Sequence, residues 1–164
     1  MSVRAITIAL CLTLCAGSQA LAQGAEIAFG GIRADTSLPV EVTADGLSVS
    51  QTDGAAVFTG NVVVSQGEMR LGADEIRVEY GADGQSRIER LIASGNVVLT
   101  SGADAAKADK AEYSVDSGEI VMAGSVLLTQ GSTVLSGETL ALNLAAGTGQ
   151  MGGRVKTVLT PGGN

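Results

Sequence analysis

The sequence predicts an all-β protein, an antiparallel meander of bent strands, on three observations. A short phrase recurs at a nearly fixed interval: a small residue or Thr, then Gly, a polar residue and Val, as in Thr59-Gly60-Asn61-Val62, Ser94-Gly95-Asn96-Val97, Ala123-Gly124-Ser125-Val126 and, more weakly, Gly152-Gly153-Arg154-Val155. Between these copies stand a small residue and an acid: Ala44-Asp45, Ala73-Asp74, Ala108-Asp109 and Gly137-Glu138. Gly precedes acid by 14 residues in three copies (Gly60 to Asp74, Gly95 to Asp109, Gly124 to Glu138), and acid precedes Gly by 15 in three more, so the unit is 29 residues long. One interval, Asp74 to Gly95, is longer, and Gly81-Ala82-Asp83-Gly84-Gln85-Ser86 absorbs the difference. A repeat of this length marks units that bury their apolar faces only by stacking on their neighbours. The second observation is period-two alternation after every acid, and the third is a set of short Gly-rich turns between the alternating runs.

Eight extended segments follow in order. In 38–50, Val40, Val42 and Ala44 are apolar on one parity and Leu47 and Val49 on the other, and such a one-residue slip predicts a bulge or corner at Ala44-Asp45. Segment 55–66 contains Phe58 and the Gly60 phrase, from which Val62 and Val64 continue inward. In 68–80, Ile76, Val78 and Tyr80 oppose Glu75, Arg77 and Glu79. Segments 87–101 and 118–130 repeat the pattern with Val97/Leu99 and Val126/Leu128. Segment 105–115 places Ala111, Tyr113 and Val115 together, and 133–144 does the same with Leu140, Leu142 and Leu144. The last, 150–160, runs through Gly153-Arg154 into Val155, Thr157, Val158 and Leu159. Thr52-Asp53-Gly54, Gln66-Gly67, Asp83-Gly84, Ser101-Gly102, Asp116-Ser117-Gly118, Gln130-Gly131 and Gly147-Thr148-Gly149 form the turns. Each acid is expected to cap backbone N–H groups at its corner, and each Gly to supply a positive φ or a close backbone approach.

Residues 1–22 read as a secretory signal peptide: Arg4, an apolar stretch from Ala5 to Ala16, and a small-x-small site at Ala20-Leu21-Ala22 before Gln23. A membrane anchor needs a longer apolar run, which Gly17-Ser18-Gln19 interrupts. Leu14 before Cys15 argues against lipidation there. Cleavage would remove both cysteines and Arg4 from a chain whose net charge is already −7, so attraction to nucleic acid or an anionic surface is not expected. A lead-in segment, 23–37, would then precede a single domain, 38–161, and a tail, 162–164.

The interior is unusual for its lack of aromatics. Phe29, Phe58, Tyr80 and Tyr113 are all the chain has, so Val, Leu, Ile and Ala line the inner face. Such side chains can close into a solid core or leave an apolar slot suited to acyl chains, and the pattern alone does not choose. Catalysis is argued against by the absence of His and the loss of Cys, which leave no imidazole base, thiolate or ordinary zinc site. The acids Asp45, Asp74, Asp109 and Glu138 lack the spacing of calcium-binding repeats and fall at corners. Neither a metal nor a cofactor is expected. A calcium-dependent or sugar-active enzyme on a β-helix, and a structural repeat protein with a filled core, are the readings that compete with a lipid binder.

Val57-Phe58-Thr59-Gly60-Asn61-Val62, Gln66-Gly67, Ala73-Asp74, Ala108-Asp109-Lys110-Ala111-Glu112-Tyr113 and the ending Gly153-Arg154-Val155-Lys156-Thr157-Val158-Leu159-Thr160-Pro161 together resemble the LptA/OstA family of periplasmic lipopolysaccharide transport proteins from Gram-negative bacteria. The resemblance implies an open β-jellyroll whose interior shields the acyl chains of lipid A. It also implies end-to-end strand pairing into a bridge between inner-membrane LptC-type and outer-membrane LptD-type jellyroll domains, in the periplasm. The family's lipid-facing positions near the first strand correspond to Val40 and Val42, and the inward face of the repeat extends the expected lipid-binding set to Phe58, Val62, Val64, Ile76, Val78, Tyr80, Val97, Leu99, Tyr113, Val126, Leu128, Leu140 and Leu142. Those the resemblance places at the pairing edges are Val40, Val42, Val155, Thr157, Val158 and Leu159. The short loop at Gly81–Ser86 and the short tail after Pro161 depart from other members.

Overall fold

A computed structural model describes residues 32, 34–50, 52, 54–81 and 87–159, with 25–28 described by their backbone. The expected signal peptide, Phe29, most of the 81–86 loop, Pro161 and the tail lie outside the described residues. The strands are β1 (Ala25–Ala28), β2 (Glu41–Thr43), β3 (Gly46–Val49), β4 (Ala56–Gln66), β5 (Met69–Tyr80), β6 (Ile88–Ser101), β7 (Asp104–Ser114), β8 (Glu119–Gln130), β9 (Thr133–Asn143), β10 (Thr148–Gly152) and β11 (Lys156–Leu159). All pairings are antiparallel, in the order β1-β10-β9-β8-β7-β6-β5-β4-β2, with β3 also on β4 and β11 also on β9.

Every strand from β4 to β9 is long and bends at a corner, and the β5–β6 pair has a second irregularity between Glu79 and Tyr80. The register shifts between Thr59 and Val62, Gly72 and Glu75, Ser94 and Val97, Lys107 and Lys110, and Ala123 and Val126, the places where the repeated phrases fall. β2 and β3 are two halves of one strand broken at Ala44-Asp45, and β10 and β11 are halves of another broken at Gly153-Arg154. The eight predicted segments are therefore all present. The corners divide the sheet into two leaves. The first contains β1, β3, β10 and the halves 56–59, 75–80, 88–94, 110–114, 119–123 and 139–143. The second contains β2, β11 and the halves 62–66, 69–73, 97–101, 104–108, 126–130 and 133–137.

Two local features differ from the sequence reading. Thr148 and Gly149 are the start of β10 rather than part of the turn, which is closed by Gly147 N–H donating to the Asn143 carbonyl at 2.8 Å. The carboxylates of the first two corners are held by side-chain amides: Asn61 Nδ2 donates to Asp45 Oδ2 at 2.7 Å and Asn96 Nδ2 to Asp74 Oδ2 at 2.8 Å. Both Asn residues have φ 47°, the left-handed conformation that Asn tolerates better than most residues, and it brings each side chain beside the acid. In addition, β1 pairs with β10, Ala25 opposite Met151, at the far end of the sheet from β2.

Candidate functional site: the apolar interior and its open ends

The inner faces of the two leaves form one apolar cluster, because alternation delivers every second side chain of each half-strand to the same side. In the second leaf, one cross-strand row is Val64, Leu71, Leu99, Ala106, Leu128 and Leu135; in the first, it is Ala56, Val78, Leu91, Tyr113, Ile120 and Leu142. All twelve are buried. Each large aliphatic side chain so buried contributes roughly 1.5–3 kcal/mol relative to exposure, which is how a chain without aromatic bulk holds two leaves together.

Of the positions read from sequence, Val62, Val64, Ile76, Val78, Val97, Leu99, Tyr113, Val126, Leu128, Leu140 and Leu142 are buried in this cluster. Val40, Val42, Phe58 and Tyr80 pack against it while remaining partly accessible. Met69, Leu91, Ile120, Met122, Leu135 and Met151 also belong to it. They share the inward parity of their strands, and the register pairs Leu91 with Val78 and Ile120 with Leu142.

The interior does not stop where the sheets stop. Leu47 and Val49 on β3 pair with Phe58 and Ala56, residues of the inner face, yet are 59% and 53% exposed. At the other end Thr157 pairs with inward-facing Leu135, and two residues on Leu159 is 69% exposed. Among the described residues β2 and β3 pair only with β4, and β11 only with β9, so each end of the second leaf presents a strand edge that no described strand covers. At the β11 end the first leaf carries one further strand, since β1 pairs along β10.

The mouth between the tips of the leaves, away from the corners, is crossed by residues 34–38, ahead of β2. Ile32 lies in the apolar cluster at 1% exposure. A cleft of about 430 Å³ beside this crossing is lined by Ala34, Leu38 and Glu68 on one side and Leu144 and Ala145 on the other. Here Gln66, at the tip of the second leaf, reaches the first: Tyr113 donates its hydroxyl hydrogen to Gln66 Oε1 at 2.6 Å. Gln66 Nε2 in turn donates to the carbonyls of Thr36 at 3.2 Å and Leu38 at 2.9 Å. Burial pushes the Tyr113 phenol up to about 12. Among the described residues no group of His, Cys, Asp and Glu side chains is arranged to hold a metal ion.

Residues 41–148 match the family model described as LptA/(LptD N-terminal domain) LPS transport protein. An uncharacterized protein of Rhizobium meliloti is 33% identical over 154 residues, which is 88% of this chain and 83% of that one. The LPS-assembly protein LptD of Salmonella typhimurium is 44% identical over 69 residues, 40% of this chain but only 9% of that much longer protein. In fold, the chain is similar to LptH of Pseudomonas aeruginosa, the LptA-homologous periplasmic component of its lipopolysaccharide transport device, with a TM-score of 0.69 at 20% identity over 78% of this chain and 99% of that one. The family match spans the bent strands from β2 to the start of β10, and the chain belongs to the LptA/(LptD N-terminal domain) LPS transport protein family.

Proposed function

We propose that the protein is a non-enzymatic periplasmic carrier that takes the acyl chains of lipopolysaccharide between its two leaves and passes them along a row of like domains. The observation that carries this reading is the continuation of the inner face into solvent at both ends, through Leu47 and Val49 on β3 and Leu159 on β11. A core that served stability alone would be closed at its ends, whereas an interior meant to join another would end in apolar side chains beside open strand edges. Docking of β11 of one copy against β2 of the next would pair those edges and make the two interiors continuous. LptC-type and LptD-type jellyroll domains would use the same edges at the ends of the row. The contact is heterologous, so it propagates rather than closes.

Photo-crosslinking during transport tests the lipid path. A photo-reactive residue at Ile76, Val78 or Leu140, all buried on the inner face, should label lipopolysaccharide, and one at Glu75 or Thr139, both exposed, should not. Equal labelling from both faces would overturn the reading. The tight burial of the inner rows favours a second one, a structural assembly protein with a filled core. It predicts no labelling from any inner position.

A further inference from the structure

The rims of the two leaves differ in chemistry. On the first leaf the inward residues nearest the mouth are Tyr80, Ile88 and Leu144, whereas on the second the last inward row holds Gln66, Ser101, Asp104, Gln130 and Thr133, with Met69 as its apolar member. These polar groups are not stray. Gln66 and Ser101 are 1% and 2% exposed, and Gln130 Nε2 donates to Asp104 Oδ2 at 3.1 Å. Gln66 alone connects three elements: its oxygen accepts from Tyr113 on the opposite leaf, and its amide nitrogen donates to the Thr36 and Leu38 carbonyls of the segment crossing the mouth.

That segment has the form of an acylated headgroup. An apolar side chain, Ile32, is sunk among the core residues, and amide carbonyls lie at the rim where Gln66 donates to them. Since the interior is filled in this arrangement, an acyl chain can enter only where something leaves, and the crossing segment is joined to neither leaf as a strand. Its departure would strand the buried Gln66 amide, a loss comparable to a hydrogen bond left unmade. A ligand that brings its own carbonyl to the rim restores the bond, and a plain alkyl chain does not.

We propose that Gln66 recognises the carbonyl of an amide- or ester-linked acyl chain, and that Ile32 together with residues 34–38 occupies this place when no lipid is bound. The inference rests on the lipid-carrier reading above and adds to it a selectivity for acyl over alkyl lipids. Tyr113 is the positioning residue, because its hydroxyl fixes the Gln66 oxygen and thereby aims the amide nitrogen at the rim.

The test compares two lipids of equal chain length, N-palmitoylglucosamine and the carbonyl-free hexadecyl glucoside, by displacement of a fluorescent alkyl probe from the full chain. The parent should prefer the acylated lipid by about fivefold to tenfold, the worth of one buried hydrogen bond. Gln66→Leu should lose the preference while still binding the ether lipid. Amide hydrogen exchange over residues 34–38 of the parent should rise when N-palmitoylglucosamine binds, and this readout decides the matter should Gln66→Leu fail to fold. An unchanged preference in Gln66→Leu, or lipid binding without a rise in exchange, would overturn the inference and leave the carrier reading standing. If the parent binds neither lipid, the carrier reading falls and this inference with it.

Discussion

The carboxylate of Asp74 lies directly over the α-carbon of Gly95, its Oδ2 2.5 Å from the point a Cβ there would occupy. Gly95 also has φ +76°, so sterics and backbone conformation independently demand glycine. The same arrangement joins Asp45 to Gly60 and Asp109 to Gly124, so each acid meets the Gly that follows it across a corner, and the longer stretch between Asp74 and Gly95 leaves that meeting intact.

Gly95→Ala should therefore destabilise the domain by about 2–4 kcal/mol, combining left-handed strain with the clash. Asp74→Ala alone should cost less. The double variant should recover the part owed to the clash and keep the part owed to φ, so urea denaturation of the four proteins should give a clear coupling energy. Additive losses would mean that the carboxylate is free to swing away.

Leu99 and Leu127 lie on opposite faces of the second leaf. Leu99 is wholly buried and Leu127 is 39% exposed. Leu99→Ala should cost about 2–5 kcal/mol and Leu127→Ala well under 1, measured by chemical unfolding. Similar losses at both would refute the inward assignment of the rows.

Tyr113 makes the stability depend on alkaline pH. Its phenol is raised from 10.0 to about 12 by burial, so below pH 10 it is neutral in folded and unfolded chains alike and contributes no pH dependence. Between 10 and 12 the unfolded chain loses the proton first, and folding is progressively disfavoured, by roughly 2–3 kcal/mol in all at 1.4 kcal/mol per unit. Comparing Tyr113→Phe with the parent isolates this contribution from other groups. The gap between the two stability curves should change across that window and be flat below it.

Pro at Thr157 or Val158 should shorten end-to-end assemblies, since one of these residues directs its N–H away from β9 toward a partner. That variant should keep the parent's melting temperature, whereas the other loses a ladder bond to β9 and melts earlier. Light scattering over a wide concentration range reads the assembly. An unchanged mass distribution in both variants would exclude pairing through β11.

The bent strands, their corners and the inward parity of Ile76/Val78 and Leu140/Leu142 were legible because each is a local pattern repeated several times in one chain. The capping partner was less so, because whether an acid meets an N–H or an Asn amide depends on the left-handed φ of the residue across the corner. β1 was not legible. Its four residues, Ala-Glu-Ile-Ala, carry no turn signal and join a strand near the other terminus. Nor was the bond between Gln66 and Tyr113, which sit on different leaves and meet only once both have folded. Sequence pattern indicates which way a side chain points, but not which one it faces across a gap.

The pairing of Ala25 with Met151 sets an order of events. Synthesis delivers β1 first, yet its partner β10 is completed among the last residues of the domain. The meander from β4 to β9, built of neighbours in sequence, can zip as it emerges, while β1 must wait for the pairing of greatest sequence separation among the described strands. The earliest made of the described strands thus cannot be placed until β10 exists, and until β1 arrives the edge of β10 stands open to any other strand within reach.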